Sequence, residues 1–411
     1  MPMGLLRPAT ALALTAILAL TAILALGCSD DSKKSAVTCE GDLTTRTLPE
    51  LIDTTFPIGP IVLHTTGTTT TIMWESEDPC TGEIVYGAKG APLSRTAAAA
   101  INGRIYKAAL DGLKPGVEYD YRARACDLET ATLTFATAPA PTAPVRFAVI
   151  GDTQSHPEIS STAFASMKGH APAFIMHAGD EVEDGTIRDQ WRDEIFTPLR
   201  QLGHYVPYWS TMGNHENNAQ FYYDYSDNPY TGIFGEPARG AFYSFTFGTV
   251  FFLVVDTNNF LLGLATYEES DVTDWIRKQL ASEAAQNATW RLAIGHHWAF
   301  SESWGHCDGI ARFSAIDEWL MPLLEEHDFH AYFAGHTHAY ERGSAHGVTH
   351  IISGGGGGDL DHWCRDIQEV EVTQYRHHYV LADATCDSLT LRAFDPTDSG
   401  EPFDTVVITR D

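Results

Sequence analysis

Apolar and polar positions alternate with two different rhythms along this chain. Between residues 56 and 138 the apolar residues fall in short runs separated by turn residues. Residues 68–74 (TTTTIMW), 83–86 (EIVY), 105–110 (IYKAAL), 118–124 (EYDYRAR) and 133–135 (LTF) are such runs, and Lys114-Pro115-Gly116 supplies a turn before the fourth. Period-two alternation and β-branched content predict strands, and short strands over such a length predict a β-sandwich. The Pro/Ala stretch 136–144 (ATAPAPTAP) reads as a boundary. Beyond it the rhythm changes. Val272, Trp275, Ile276 and Leu280 share one helix face, as do Ile316, Trp319, Leu320, Leu323 and Leu324. Strand-like runs alternating with these segments predict an α/β domain over 145–411.

Five apolar runs in this second region end alike. Residues 145–150 lead into Gly151-Asp152-Thr153-Gln154, and 173–177 into Ala178-Gly179-Asp180. Residues 208–212 lead into Gly213-Asn214-His215-Glu216, 290–294 into Gly295-His296-His297, and 329–333 into Ala334-Gly335-His336-Thr337-His338. Each is a buried-type strand, then Gly, then a metal-ligand residue type. Ligands gather at the carboxyl ends of strands in α/β sheets, and glycine there permits close backbone approach. Carboxylate, amide oxygen and imidazole together suit zinc, iron or manganese. Six ligands exceed what one tetrahedral ion needs and fit two ions sharing a carboxylate. Singly, each motif is only a turn or a structural histidine; the five together, in order, point to one metal centre.

The 411 residues are 44% hydrophobic and 19% charged, with a formal net charge of -28 and a pI near 4.9. Such a surface repels polyanions, so duplex nucleic acid is a poor partner, and phosphate chemistry here requires locally concentrated positive charge that bound cations would supply. Arg7 followed by an uncharged Ala/Leu/Ile/Thr run over 9–26 predicts a signal peptide over 1–27. Cys28 after Gly27 resembles the acylated residue of a bacterial lipoprotein. That makes 28–55 a polar tether behind a lipid anchor, the one membrane contact expected; an ordinary cleaved signal and an uncleaved anchor are the alternatives. All three export the chain. Six further cysteines suit disulfides, with Cys80–Cys126 and Cys307–Cys364 expected from domain membership.

The motif order GD, GD(x4)G, GNHE, GHH and GHTH resembles the calcineurin-like metallophosphoesterase superfamily. The Ala339-Tyr340-Glu341-Arg342 continuation, the front sandwich and the 354–358 glycine run resemble purple acid phosphatases in particular. Residues 110–138 (from LDGLKPGVEYDYRA to the closing TFATA) resemble a fibronectin type III module. The resemblance implies a four-layer α/β/β/α catalytic domain, 139–144 being the linker to it. It also implies two divalent or trivalent ions (Fe, Zn or Mn) with a hydroxide held between them as nucleophile, and a small phosphate ester as substrate. Carried over by position, Asp152 and His338 hold the first ion, Asp180 bridges, and Asn214, His296 and His336 hold the second. His215 stands beside the leaving oxygen, and His306 lies where a substrate-side histidine is expected. His297 is expected to pack or orient, and Asp256 to hydrogen-bond a ligand. One departure is informative. Purple enzymes carry Tyr three residues after the bridging Asp, where this chain has Glu183; the wider superfamily has His two residues after the first Asp, where this chain has Gln154. Gln154, Glu183 or water must then complete the first ion's shell, and the protein should not be purple. The expected activity is phosphomonoester hydrolysis. The alternatives are diester or nucleotide hydrolysis on the same centre, and an inactive surface-anchored binding protein.

Overall fold

The alternation of 118–125 is reproduced residue by residue. In the strand Glu118–Ala125, Tyr119, Tyr121, Ala123 and Ala125 are buried and their neighbours are half-exposed. A computed structural model describes residues 39–229, 240–258, 269–304, 307, 309–398 and 400–410. The predicted leader, Cys28 and His306 lie outside the described residues. No helix among the described residues is long and apolar enough to cross a membrane.

The fold is mixed α/β with two large sheets. The first has ten strands, in the order Asp404–Thr409, Ser388–Phe394, Tyr379–Ala384, Val145–Ile150, Ile175–His177, Tyr208–Ser210, Ile58–Leu63, Thr70–Glu75, Ile105–Leu110 and Ala100–Asn102. The second has seven: Tyr243–Phe247, Val250–Val254, Trp290–Ile294, Ala331–Ala334, Val348–Ser353, Tyr340–Ala345 and Val370–Gln374. Their facing surfaces interlock through aromatic rings. Trp209 stacks on Phe245 at 3.9 Å between centroids, and Phe147 meets Phe252 edge-on at 5.3 Å. Each such fully buried apolar side chain contributes about 1.5–3 kcal/mol.

Helices cover the outer faces. On the first sheet, Pro157–His170 and Thr197–Gly203 bury Phe164, Met167, Leu199 and Leu202. On the second, Glu269–Leu280 buries Val272, Trp275, Ile276 and Leu280, the face predicted from their spacing. The second predicted face lies on a wide-turned segment, Ala315–Leu320, that continues into the α-helix Met321–Glu326. The order is therefore helix, sheet, sheet, helix.

The front β region has a second, five-stranded sheet of Arg95–Ala98, Gly82–Ala88, Glu118–Ala125, Leu128–Glu129 and Leu133–Ala136. Trp74, Tyr106, Tyr121 and Phe135 fill the space behind it. Its other strands continue the ten-stranded sheet. Ile58–Leu63 runs parallel to Tyr208–Ser210, with Leu63 opposite Tyr208. That strand is buried along its whole length, as an interior strand covered on both faces should be. Disulfides join Cys80 to Cys126 and Cys307 to Cys364, as expected, and Cys39 to Cys386.

Candidate metal centre

Register places the ligand-bearing ends together. Val145–Ile150, Ile175–His177 and Tyr208–Ser210 are parallel, with Ile150 opposite His177 and His177 opposite Ser210. Val250–Val254, Trp290–Ile294 and Ala331–Ala334 are likewise parallel, with Ile294 opposite Phe333. Parallel strands in register finish on one edge, so Asp152, Asp180, Asn214, His296 and His336 emerge at a common rim.

The turns deliver the ligands by an unusual division of labour. Asp152, Asp180 and His336 themselves take left-handed backbone angles, with φ of 58°, 54° and 69°. The preceding glycines mostly supply room. A Cβ at Gly213 would lie 2.1 Å from Asp180 Oδ1, and one at Gly335 would lie 2.3 Å from Asp152 Oδ2. Non-glycine residues rarely adopt positive φ and do so at a cost, and functional sites are where such conformations cluster.

The polar contacts show what the rim is shaped to hold. His296 Nδ1 donates to the Ala178 carbonyl at 2.8 Å, so Nε2 carries the lone pair in the neutral ring. That same Nε2 lies 3.1 Å from Asp180 Oδ2, 3.0 Å from Asn214 Oδ1 and 3.2 Å from His336 Nδ1. Three acceptor-type atoms around one ring nitrogen are not a hydrogen-bond pattern that a single proton can satisfy; a cation among them satisfies all four. Asp152, Asp180 and His296 offer ligand atoms all within 4.8 Å of one another, so Asp180 faces the Asp152 side as well. His338 Nδ1 donates to the Asp359 carbonyl at 2.7 Å, and its Nε2 lies 3.5 Å from Asp152 Oδ1. The Gln154 amide sits beside it, Nε2 being 3.2 Å from His338 Nε2. The donor set of two carboxylates, an asparagine and three histidines fits two hard-to-borderline cations.

The ligand-type groups are strongly coupled to one another electrostatically. Burial pushes Asp152 up to about 6. Burial also acts upward on Asp180, but His296 and His215 outweigh it and hold this carboxyl near about 2. Burial lowers His296 and His338, but Asp180 for the first and Asp152 for the second outweigh it and raise each to about 9. Burial and the neighbouring histidines drive His336 well below its usual value, which keeps its ring neutral as a ligand must be.

His215 also reaches this rim. Its backbone N–H donates to Asp180 Oδ1 at 2.9 Å, and its Nδ1 donates to the Glu183 carbonyl at 2.7 Å. Burial lowers its pKa, but Asp180 and Glu183 outweigh it and the net shift is upward. His297 lies against the centre: its Nδ1 is 3.0 Å from Thr257 Oγ1, its ring is 4.3 Å from that of His336, and it offers a ring nitrogen within 4.8 Å of ligand-type nitrogens of His296 and His336. Asp256 Oδ1 accepts the Asn258 N–H at 3.0 Å, and Asn258 Nδ2 in turn donates to the Met212 carbonyl at 2.9 Å. The aromatic segment after His215 packs inward in part, with Tyr222 and Tyr225 buried against Trp191.

Several supporting residues escaped sequence reasoning. The carboxylate of Glu216 is buried and accepts the N–H groups of Asp180 at 3.0 Å, Glu181 at 2.7 Å and Gly213. It thus pins two ligand turns to each other. Burial and the charge of Asp180 push it up to about 7. Glu341, inside the AYER segment, accepts Ser301 Oγ and the Glu302 N–H, each at 3.0 Å. The glycine run closes over the first side: Gly356 N–H donates to the Gly151 carbonyl and Gly358 N–H to the Asp152 carbonyl. Glu216 sits inside a motif already quoted, and its acidic type beside two ligands was the available signal. Arg342 pairs with Asp404 and Glu371 and is structural.

Comparison with known proteins places this geometry. Residues 145–340 match the calcineurin-like phosphoesterase family model. Purple acid phosphatase 7 of Arabidopsis thaliana is 27% identical over 145 residues, covering 32% of this chain and 42% of that protein. Probable purple acid phosphatase 20 of the same plant is 24% identical over 292 residues, covering 66% of this chain and 65% of that protein. The chain thus spans between about a third and two thirds of the length of the curated relatives it matches. The solved purple acid phosphatase PPD1 from yellow lupin (Lupinus luteus) seeds superposes with a TM-score of 0.68 at 18% identity, over 86% of this chain and 74% of that one. Residues 145–340 thus carry the sequence pattern of the calcineurin-like phosphoesterase family model, and the chain has the fold of the lupin purple acid phosphatase.

Proposed function

We propose that this chain is a hydrolase of phosphate esters, working with two metal ions held by Asp152, Asp180, Asn214, His296, His336 and His338. The convergence of Asp180, Asn214 and His336 on His296 Nε2, whose other nitrogen is already committed to a carbonyl, carries this reading. When bound, the ions supply Lewis acidity at the phosphoryl oxygens and a water acidic enough to act as nucleophile near neutral pH. The protein does the rest by placement. Carbonyl acceptors at Ala178 and Asp359 fix the rings of His296 and His338 with Nε2 turned toward the centre. Asp180 links the two halves, and Glu216 holds its backbone in place. His215, oriented by the Glu183 carbonyl, keeps Nε2 free of partners among the described residues, and in its protonated form it donates from that atom to the leaving oxygen. Three disulfides suit an exported protein in an oxidising compartment.

One observation favours a diester or other singly charged ester. Among the described residues, no Lys or Arg hydrogen-bonds or pairs with any of the six ligands or His215. A doubly charged monoester would have only the ions and His215 to meet it. Hydrolysis of p-nitrophenyl phosphate and of its bis-ester, with and without chelator, tests both statements. Turnover of either ester that chelator abolishes and a divalent metal restores is expected. Absence of turnover with any divalent metal across pH would leave a binding protein instead.

A further inference from the structure

The half of the centre around Asp152 lacks both side chains that the family supplies there. Two residues stand nearby. Glu183 turns away: its Oε2 accepts Ser155 Oγ at 2.8 Å, its Oε1 lies 3.7 Å from His215 Nδ1, and its side chain is 50% exposed. Gln154 turns in. It is 1% exposed, its Nε2 has no partner but His338 Nε2, and its Oε1 is buried with no hydrogen-bond partner at all. In this orientation the amide's one contact is made by its nitrogen, and its oxygen, the atom a cation would use, is unpaired. The oxygen and nitrogen of an amide exchange by a half-turn of the group, and the hydrogen-bond network decides which is which. With that half-turn the oxygen takes the place 3.2 Å from His338 Nε2. This matches the 3.0–3.2 Å spacing among the ligand atoms around His296 Nε2.

Resting on the two-ion reading above, we infer that Gln154 is a metal ligand. Its amide oxygen completes the half-site of Asp152, Asp180 and His338, and Glu183 takes no part in that shell. The replacement exchanges a charged or imidazole donor for a neutral oxygen. The half-site keeps hard oxygen character and only the negative charge of its carboxylates, which suits a divalent ion such as Mn2+.

Metal-stripped full-length chain titrated with Mn2+, free ion being read by electron paramagnetic resonance and bound ion by native mass spectrometry, tests this without reference to turnover. Wild type should take up two ions per chain. Gln154→Ala should retain one and bind the second at least about tenfold more weakly. Gln154→His should hold both, imidazole replacing the amide, and Glu183→Ala should hold both as wild type does. Circular dichroism melts of each variant separate lost ligation from lost folding. Two ions at wild-type affinity in a folded Gln154→Ala overturns the inference, as does loss of an ion in Glu183→Ala. Fewer than two ions in wild type would instead overturn the two-ion reading on which it rests.

Discussion

The two halves of the candidate metal centre are built from different material. Asn214, His296 and His336 follow buried strands, and the His296 side chain is fully buried. Its backbone N–H and that of His297 are both held by Thr257 Oγ1, itself buried. On the other side, His338 lies beyond its strand, with a side chain 21% exposed. Its ring is held by the Asp359 carbonyl and its backbone N–H by Asp361 Oδ2, both on the segment that follows the glycine run. Strand-borne ligands inherit the precision of the sheet, whereas loop-borne ligands depend on the stability of a loop. The second half should therefore bind its ion more tightly and release it last.

The strongest way to erase the distinction is to remove the residue both halves share. Asp180→Ala should abolish retention of both ions and lower turnover of p-nitrophenyl esters by at least about 10³-fold, on the scale of removing a principal source of transition-state stabilisation. Unaltered metal content in that variant would show that the halves are independent. A smaller effect is expected from Glu216→Gln, which leaves every ligand in place but puts an amide against the Asp180, Glu181 and Gly213 N–H groups. Metal affinity should fall about 10–100-fold, as when other ligand-orienting groups are changed. Equal retention by wild type and variant would assign Glu216 to folding alone.

Graded chelation sharpens the comparison directly. At increasing chelator, one ion should leave first, with a gap of at least about tenfold in affinity, because the Gln154/His338 half is the looser one. Simultaneous loss of both ions would contradict it. The least effect on either half is expected from Asp383→Asn, at the far side of the first sheet. There burial acts upward on the Asp383 pKa but is outweighed by Arg146, which forms two hydrogen bonds to it, and by Arg392. A depressed folded value means the carboxylate's contribution is complete above its unfolded pKa, about 3.9, and fades as pH falls through the lower folded value. Urea melts should show the variant about 2 kcal/mol less stable at pH 7, with the gap closing at lower pH and metal content unchanged.

Much of the candidate centre was legible because each residue brought to it has a local signature. A buried run, a glycine and a ligand-type residue are adjacent in sequence, and the recurrence of that pattern five times marks Asp152, Asp180, Asn214, His296, His336 and His338 as candidates. Glu216 was not singled out, because a carboxylate that serves backbone N–H groups of Asp180 and Glu181 leaves no periodic trace. The pairing of Ile58–Leu63 with Tyr208–Ser210, which carries the ten-stranded sheet across the Pro/Ala stretch, was hidden for a related reason. Strand partners distant in sequence are chosen by register and burial, which hydrophobic pattern shows only strand by strand. The choice between Gln154 and Glu183 was open in the sequence, since both lie near a ligand; only the direction of each side chain separates them.

The chain's own order of residues determined which chemical groups are available, that they follow strands, and that a compact α/β region stands behind a β-rich one. These follow from local periodicity and from residue type, which act over a few positions. The folded arrangement decided that the five strand ends share one rim, that three ligand-type atoms crowd one imidazole nitrogen, and that Gln154 rather than Glu183 faces inward. Distances of that kind arise from the packing of whole sheets, where the position of any one side chain depends on neighbours hundreds of residues away.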